Sequence, residues 1–436
     1  MRIIDWKSSS AAERAAALRR PALREAAAVE AEARRIITQV RRDGDAALRA
    51  LTLRLDGARI DSLAVTEAEF DAAERALDQA AVEAIDTAID AVRRFHAAQA
   101  QAPIAVETAP GVRCERLNVP IGAVGLYVPA GSAPLPSTAI MLAVPAAVAG
   151  CPRRLICTPP RRDGAAHAAV LVAARRAGVE RVFKVGGAQA VAAMAYGTAS
   201  VPKCDKIFGP GNAWVTAAKL LVAADPAGAA ADLPAGVSEV LVIADDGARA
   251  DFVAADLLAQ AEHGADAQAL LITDSAALAA RVAAEVGRRR GALSRTAILA
   301  ESVAHMRAIV VDSLEAALEL ANAYAPEHLL LQVREPRARL GAVVNAGAVF
   351  LGPWSPESVG DYCAGPNHTL PTYGYARSHS GLGLEDFQKR ITVQELTPAG
   401  LRARAQATRT LAALEGLDAH AAAVSVRLAA LAEDGA

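Results

Sequence analysis

Alanine alternates with charged side chains at helical spacing through the first hundred residues. In Pro21–Asp43 and Glu67–Ala97 the apolar positions recur every three or four residues, which places them on one face of an α-helix. The pattern therefore predicts a helical amino-terminal region that begins with a helical arm at residues 1–25.

After about residue 118 the pattern changes to short runs rich in β-branched residues, separated by helical segments. The predicted strands are Val124–Val128, Arg154–Thr158, Arg181–Val185, Lys206–Phe208, Val240–Ala244, Ala269–Thr273, Ala308–Asp312, Leu329–Val333 and Ala348–Leu351. The predicted helices are Ala165–Ala177, Ala188–Tyr196, Ala213–Val222, Ala276–Arg290 and Leu314–Tyr324. Such alternation predicts two blocks with doubly wound parallel sheets, joined near residues 232–239, and a ligand cleft between the blocks.

Strand signals fade after about Gly381, and Pro398–Ala432 is almost entirely helical by pattern. We therefore predict an α/β protein with two Rossmann-like doubly wound domains, a helical amino-terminal region and a helical carboxy-terminal tail. The apolar positions of such a tail need a surface to cover, on the same subunit or on a partner.

Composition narrows the class of protein. The 436-residue chain is too long for one ordinary core, and its net charge of −2 argues against a nucleic-acid partner. The longest apolar stretch, Ala139–Cys151, is interrupted by Pro145 and is too short to cross a bilayer. The amino terminus has no apolar segment typical of an export signal, and the five cysteines show no CxxC spacing. We expect a cytoplasmic protein with no membrane partner.

Three glycine-rich turns stand where a predicted strand ends and a helix begins. They are Tyr127–Ser132, Gly186–Gln189 and Gly209–Asn212, and no strand is followed by the usual GxGxxG fingerprint. Free backbone N–H groups at such turns can bind an anion such as a pyrophosphate. Each turn alone is more often a tight turn than a ligand site, but three at the same sheet edge are a stronger indication.

Two histidine motifs carry the candidate chemistry. Gln260 and His263 are three residues apart and share one face of a helix, which Gly264 is expected to end. Pro326-Glu327-His328 places a carboxylate beside an imidazole, the pairing that proton transfer near neutral pH requires. Together they indicate a metal-assisted enzyme.

Further polar candidates lie nearer the carboxyl terminus. Asp361 and His368 fall in a segment too rich in glycine and proline to predict a regular element, and Glu415 and His420 fall in the tail. With Gln260 and His263, the side chains of Asp361 and His420 would form a mixed nitrogen and oxygen site suited to Zn²⁺, Mn²⁺ or Co²⁺.

Simpler interpretations of these residues, as structural or surface side chains, remain possible from the sequence. A Gln/His pair is usually a polar helix face, Asp361 can be a turn residue, and His420 can be a surface side chain. Pro326–His328 can be a loop that enters the next strand. The remaining helical histidines are predicted to lie on the surface: His96, His167 and His305.

Taken together, the motifs resemble those of the histidinol dehydrogenase family over nearly the whole chain. The residues that carry the resemblance are Leu126–Pro129, Val185–Gln189, Gly209–Asn212, Asp232–Gly236, Gln260–Gly264, Ala325–Leu329, Gly360–Tyr362, Gly365–His368 and Ser380–Leu382.

The resemblance implies oxidation of L-histidinol to L-histidine through bound L-histidinal with two NAD⁺, the last step of histidine biosynthesis. It implies a homodimer in which the tail completes the partner's site. His328 would be the general base and Glu327 would activate water. One zinc ion per subunit would be held by Gln260, His263, Asp361 and His420. NAD would contact Tyr127, Gln189 and Asn212. The substrate would contact Ser238, Gln260, His263, Glu327, His328, Glu357, Asp361, His368, Glu415 and His420.

The resemblance also implies a domain plan. The arm is residues 1–25. Residues 26–126 and 237–380 form the α/β domain with most zinc and substrate residues, residues 127–236 form the NAD-binding α/β domain, and residues 381–436 form the tail.

Three other functions remain open from the residues alone. The same fold could oxidise another polar alcohol with NAD. A zinc hydrolase could use Glu327 to activate water without NAD. A zinc-stabilised structural dimer would have no activity at all.

Overall fold

The computed structural model describes residues 1–20, 26–130, 133–179, 181–234 and 236–433. The end of the expected arm, the start of the predicted helix Pro21–Asp43 and part of the turn Tyr127–Ser132 therefore lie outside the described residues. The chain forms two compact units, residues 1–99 with 121–387 and residues 100–120 with 388–436.

The strands of the described residues are β1 (Arg2–Asp5), β2 (Ile104–Ala109), β3 (Val112–Pro120), β4 (Ala123–Tyr127), β5 (Arg153–Thr158), β6 (Arg181–Lys184), β7 (Lys206–Phe208), β8 (Ala230–Ala231), β9 (Glu239–Ala244), β10 (Gln268–Thr273), β11 (Arg307–Val310), β12 (His328–Gln332), β13 (Ala348–Leu351) and β14 (Gln388–Leu396). The predicted strands of both blocks are confirmed, with ends that agree within two residues.

The α-helices of the described residues are α1 (Ala11–Ala17), α2 (Ala26–Asp43), α3 (Asp45–Asp56), α4 (Glu67–Ala76), α5 (Gln79–Ala97), α6 (Pro136–Val148), α7 (Ala168–Arg176), α8 (Gly187–Tyr196), α9 (Ala213–Ala223), α10 (Ala250–Ala261), α11 (Ala276–Arg289), α12 (Thr296–His305), α13 (Leu314–Tyr324), α14 (Pro336–Arg339), α15 (Glu357–Tyr362), α16 (Pro398–Leu414) and α17 (Asp418–Glu433). The predicted helices between the strands are confirmed within three residues.

The first parallel sheet of the larger unit has the strand order β6-β5-β4-β7-β8. The chain adds β5 and β6 on one side of β4 and then crosses to β7 on the other, so the order reverses beside β4. Both faces are covered. Ile156 packs on the face with α5, α6 and α7, whereas its neighbours Leu155 and Cys157 pack on the face with α2, α3, α8 and α9.

The second parallel sheet of this unit has the order β1-β11-β10-β9-β12-β13, and its order reverses between β9 and β12. Val240 and Val242 pack against α10, α11 and α12. Leu241 and Ile243 point to the opposite face and pack against α13. Burial on both faces explains why these strands are continuously apolar in sequence.

The amino-terminal region differs from the prediction in two respects. The arm begins with a strand, because Arg2–Asp5 pairs with β11 at the edge of the second sheet. The segment Glu67–Ala97 is two helices, because the Asp78 side chain accepts the N–H of Ala81 and caps a new helix there.

The helices between residues 26 and 97 pack on the first sheet. Ile36 and Leu48 belong to one of its cores, and Phe70 and Ile85 belong to the other. The sequence analysis grouped these residues with 237–380. Their apolar faces instead cover the sheet that contains β4 to β8.

The smaller unit contains an antiparallel sheet of order β14-β3-β2 and the paired helices α16 and α17. The prediction that strand signals fade after Gly381 was wrong for β14. Its side chains are mostly exposed, so the apolar pattern that identified the buried parallel strands is weak here. The helical part of the tail is confirmed by α16 and α17.

In the part of the chain that the structure describes, no helix has both the length and the apolar character needed to span a membrane.

His96 is buried at the end of α5, although we predicted it to lie on the surface. Its Nδ1 lies 2.8 Å from the carbonyl oxygen of Val92, and burial lowers the pKa of the imidazole below 6.5. The charged neighbours that suggested exposure lie on the other face of the amphipathic helix.

Burial of a neutral His96 predicts loss of stability in acid. The unfolded chain takes up a proton near pH 6.5 while the folded chain resists it, so the free energy of unfolding should fall as pH drops below about 6.5, by on the order of 1 kcal/mol. Chemical denaturation at pH 7.5, 6 and 5 should show a smaller decline for His96→Gln than for the wild type. The exposed His305→Gln should follow the wild type, and equal slopes for all three proteins would contradict the prediction.

Candidate active site

Glu327 and His328 are held by the backbone of one residue, Glu239, on the neighbouring strand. The N–H of Glu239 donates to Oε2 of Glu327 at 2.8 Å, and the carbonyl oxygen of Glu239 lies 3.1 Å from Nδ1 of His328. Parallel pairing of β12 with β9 sets His328 opposite Val240, so this contact follows from strand register. Both side chains are buried at the amino-terminal edge of the second sheet.

The contact with Glu239 also assigns the tautomer of a neutral His328. A carbonyl oxygen can only accept, so Nδ1 carries the proton and Nε2 keeps its lone pair. Nε2 lies 3.6 Å from Oδ1 of Asp361 and makes no hydrogen bond among the described residues. It is therefore the nitrogen available to take up a proton.

Helix α15 places two carboxylates one turn apart on the face that meets His328. Oε1 of Glu357 lies 3.7 Å from Nδ1 of His328, while Asp361 faces Nε2. We had predicted no regular element around Asp361, which was wrong. The helix begins after Pro356, and its short length between segments rich in glycine and proline hid it.

Burial sets the protonation of this cluster. It raises the pKa of Glu327 to about 8 and that of Glu357 to about 8, although the charge of His328 opposes both shifts. Burial disfavours the charge on His328, but Glu357, Glu327 and Asp361 together outweigh that effect and hold its pKa well above 6.5. A pKa of about 8 lies close enough to neutrality for Glu327 and Glu357 to exchange protons readily.

Helix α10 carries Gln260 near its end, and His263 follows the helix rather than lying on it. The helix ends at Ala261, so His263 lies just beyond it in an exposed position, with Nδ1 3.1 Å from the carbonyl oxygen of Ala259. This contact leaves Nε2 free. Gln260 is fully buried, and neither its Oε1 nor its Nε2 has a hydrogen-bond partner among the described residues.

An unsatisfied buried amide is costly and needs an explanation. A metal ion bound through the Oε1 of Gln260 would supply one, and the chain provides further donors of the right type in His263 and Asp361. Their charges interact, since the nearby His263 is one of the groups that lower the pKa of Asp361 against the effect of burial. The donor set therefore fits a divalent cation, although the described residues contain no group of three His, Cys, Asp or Glu side chains arranged to hold one.

Ser238 and His368 lie beside this cluster. Ser238 immediately precedes Glu239, and its carbonyl oxygen accepts the N–H of Gln268. The loop with His368 is fixed by its neighbour Asn367, whose Nδ2 donates to the carbonyl oxygen of Met141 at 2.6 Å. Burial lowers the pKa of His368 despite the nearby Asp361.

Two buried acids of the site were not predicted from the sequence. Glu239 holds Glu327 and His328 through its backbone, which no sequence pattern reveals. Asp256 lies one turn before Gln260 on α10, so helical spacing could have identified it. Burial raises the pKa of Asp256 to about 7, and its charge contributes to the raised pKa of Glu357.

The carboxyl-terminal edge of the first sheet gathers the polar residues of the glycine turns. The hydroxyl of Tyr127, at the end of β4, accepts the N–H of Gly187 at 3.0 Å. The amide of Gln189 is buried without a hydrogen-bond partner among the described residues. Asn212 is exposed and caps α9 through the N–H of Val215.

The third glycine turn is held by a buried ion pair. Asp232 pairs with Lys219 and accepts the N–H of Gly209 at 2.7 Å, and Nζ of Lys219 donates to the carbonyl oxygen of Gly209. Gly209 has φ 125, and a Cβ there would lie 2.2 Å from the carbonyl oxygen of Tyr127. Only glycine allows the turn to approach β4 this closely.

Glu415 and His420 belong to the smaller unit. Glu415 follows the last residue of α16, His420 lies in the first turn of α17, and both side chains are exposed.

Comparisons with known proteins agree with one another. A family model described as histidinol dehydrogenase matches residues 18–428. The histidinol dehydrogenase of Xanthomonas axonopodis pv. citri (strain 306) is 54% identical over 428 residues, which cover 98% of this chain and 99% of that protein. The Vibrio cholerae serotype O1 enzyme is 50% identical with 98% of each chain covered. The crystal structure of histidinol dehydrogenase from Elizabethkingia anophelis matches with a TM-score of 0.94 and 41% identity, over 99% of this chain and 98% of that one.

The unsatisfied amide of Gln260 predicts opposite effects of one substitution on stability and on metal binding. Gln260→Leu should raise the free energy of unfolding of the metal-free protein by about 1 kcal/mol, because it removes a buried polar group that has no partner. It should also weaken Zn²⁺ binding at least about tenfold, measured by competition with a chelator.

Gln268→Leu is the matched control. The Gln268 amide is also buried but donates to the carbonyl oxygens of Asp266 and Ala267, so its loss should destabilise the protein and leave zinc affinity unchanged. Unchanged zinc affinity in Gln260→Leu would remove Gln260 from the metal site.

Proposed function

The chain belongs to the histidinol dehydrogenase family, and we propose that it oxidises L-histidinol to L-histidine through bound L-histidinal, as the last step of histidine biosynthesis. One observation carries the proposal. The backbone N–H and C=O of Glu239 hold the Glu327 carboxyl and the His328 imidazole side by side. Nε2 of His328 stays available, and two successive proton transfers require such a pair. Two NAD⁺ each accept a hydride, and water supplies the second carboxylate oxygen.

In the first half-reaction, His328 removes the proton of the carbinol hydroxyl as hydride leaves its carbon for NAD⁺. The assignment is supported by the tautomer of the neutral ring, in which Nδ1–H is bonded to the Glu239 carbonyl and Nε2 is free. Two electrons leave with the hydride, and the hydroxyl proton goes to Nε2.

In the second half-reaction, Glu327 takes a proton from water as the water oxygen adds to the aldehyde carbon. His328 returns its first proton to the aldehyde oxygen, which completes the hydrate. Hydride then leaves the hydrate carbon for the second NAD⁺, while His328 accepts a proton from one of the two hydroxyls. A pKa of about 8 for Glu327 supports this role, because the group can gain and release a proton near neutral pH.

Gln260, His263 and Asp361 would hold one zinc ion per subunit together with His420 of the partner subunit. Bound zinc supplies positive charge that orients polar groups of the substrate and offsets the surrounding carboxylates. The free Nε2 of His263 and the unsatisfied amide of Gln260 support this ligand set.

The substrate site would include the four zinc ligands, Glu327 and His328. The remaining proposed contacts are Ser238, Glu357, His368 and Glu415. Ser238, Glu357 and His368 lie around the catalytic pair in the larger unit. Glu415 and His420 are exposed in the described chain, which supports a role in the site of a homodimer partner.

NAD would bind at the carboxyl-terminal edge of the first sheet through Tyr127, Gln189 and Asn212. In doubly wound sheets, ligands lie at this edge beside the strand where the order reverses, which here is β4. The amino-terminal ends of α8 and α9 at this edge suit the pyrophosphate. The buried amide of Gln189 is available for a ligand, since it has no partner among the described residues.

The function is tested by the yield and rate of NADH in each half-reaction. The wild type should form two NADH per histidinol and none when NAD⁺ is omitted. Glu327→Gln should slow histidinal oxidation about 100-fold or more, since a general base is lost. Single-turnover conversion of histidinol to the aldehyde should fall less than about tenfold.

The exposed Glu319→Gln serves as the control and should match the wild type in both steps. Equal losses in the two half-reactions of Glu327→Gln would remove its assignment to the aldehyde step. Turnover without NAD⁺ would replace the proposed oxidation with a hydrolytic reaction.

The shared site is tested by mixing inactive subunits. In a dimer of His263→Ala and His420→Ala, one site keeps both histidines and the other loses both. Random mixing should therefore restore about a quarter of the wild-type activity, since about half of the dimers are mixed. Inactivity of mixed dimers, verified by differently tagged subunits, would contradict the exchange of tails.

A further inference from the structure

Arg20 forms a buried ion pair with the residue that anchors the catalytic pair. Its Nε contacts Oε1 of Glu239, and its Nη2 donates to Oε2 at 2.8 Å. The side chain of Glu239 is fully buried, and that of Arg20 is 15% exposed. The fork geometry of the guanidinium fixes the carboxylate in position as well as neutralising it.

The same guanidinium binds the turn that leads into Glu327. Nη2 also donates to the carbonyl oxygens of Tyr324 at 2.9 Å and Ala325 at 3.3 Å, and the guanidinium carbon lies 3.8 Å from the centre of the Tyr324 ring. Ala325 ends α13 with φ 55, a conformation that costs an alanine free energy and must be held by its surroundings.

Arg20 therefore contacts both chain segments that form the catalytic pair. One segment contains Glu239, whose backbone N–H and C=O bind Glu327 and His328. The other is the Tyr324–Ala325 turn, which continues through Pro326 into the same two residues. Neither segment contains another arginine, and Glu239 receives further support from the N–H of Tyr373 at 3.1 Å.

We propose that Arg20 is a positioning residue that fixes the distance between the Glu239 peptide and the Glu327–His328 pair. The proposal rests on the oxidation proposed above. Arg20 reaches the pair through Glu239 and the Tyr324–Ala325 turn, so its loss should lower kcat and leave the KM for NAD⁺ unchanged. It should slow both half-reactions equally, because both proton-transfer groups are bonded to the backbone of Glu239.

The test uses Arg20→Lys in the full-length dimer. A lysine keeps the positive charge but cannot bind the carboxylate and both carbonyl oxygens in a fixed plane. A displacement of about 1 Å at the reacting groups is expected to reduce kcat about 100-fold in both half-reactions. Zinc content and the KM for NAD⁺ should stay within about twofold of the wild type.

Arg307→Lys is the matched control. Arg307 donates to the carbonyl oxygens of Ala17 and Arg19, so it supports the same amino-terminal segment, and among the described residues it makes no hydrogen bond or ion pair with Glu239. It should keep the wild-type kcat even if it loses comparable stability. A purely structural role for Arg20 predicts equal kcat values for the two variants at matched folded fractions, and that result would overturn the proposal.

Hydrogen exchange separates this proposal from the proposed reaction. Protection of the Glu239 amide, which donates to Glu327, should fall at least about tenfold in Arg20→Lys and remain in Arg307→Lys. If the wild type does not oxidise histidinol, the proposed function fails while this readout still decides the positioning. Unchanged protection of the Glu239 amide in Arg20→Lys would contradict the positioning role of Arg20.

Discussion

The backbone of Glu239 is the constraint on which the site depends. Its N–H and C=O bind Glu327 and His328, while its side chain binds Arg20 and the N–H of Tyr373. This division is possible because β9 and β12 are hydrogen-bonded neighbours where the order of the second sheet reverses. A slip of one residue between these strands would turn His328 to the opposite face of the sheet. The positions of Glu327 and His328 are therefore set by the register between β9 and β12.

The site concentrates groups that oppose folding. Burial raises the pKa values of Glu327, Glu357 and Asp256 above those of ordinary carboxyls, and the Gln260 amide is buried without a partner among the described residues. Each costs free energy of folding in the absence of a bound cation and a polar ligand. The continuously apolar strands on which the site stands offset that cost, and the same unfavourable groups are those suited to bind a charged, polar substrate.

Sequence patterns predicted the parallel strands other than β1 and β8, together with most helices, because those elements are buried on defined faces. They failed where burial was incomplete, as in β14, and where an element was short, as in α15 with Asp361. His96 was assigned to the surface from its charged neighbours, since sequence alone does not show which face of α5 meets the sheet.

The candidate site was predictable where chemistry is local. Glu327 and His328 are adjacent, and Gln260 and His263 are three residues apart, so spacing alone joined them. Arg20 and Glu239 are separated by more than two hundred residues, and their pairing depends on the tertiary fold. The same reason hides the role of the Glu239 backbone, because any residue has a peptide N–H and C=O.

The helix ends at the two sheet edges carry dipole charges of opposite sign. At the carboxyl-terminal edge of the first sheet, helices α8 and α9 begin, and the positive ends of their dipoles favour an anionic cofactor. At the amino-terminal edge of the second sheet, α10 ends beside Gln260 and His263, and the negative end of its dipole favours a cation. The proposed pyrophosphate cofactor and the proposed cation would each lie at the edge whose polarity suits its charge. Asn367 ties the His368 loop of the second block to α6 of the first.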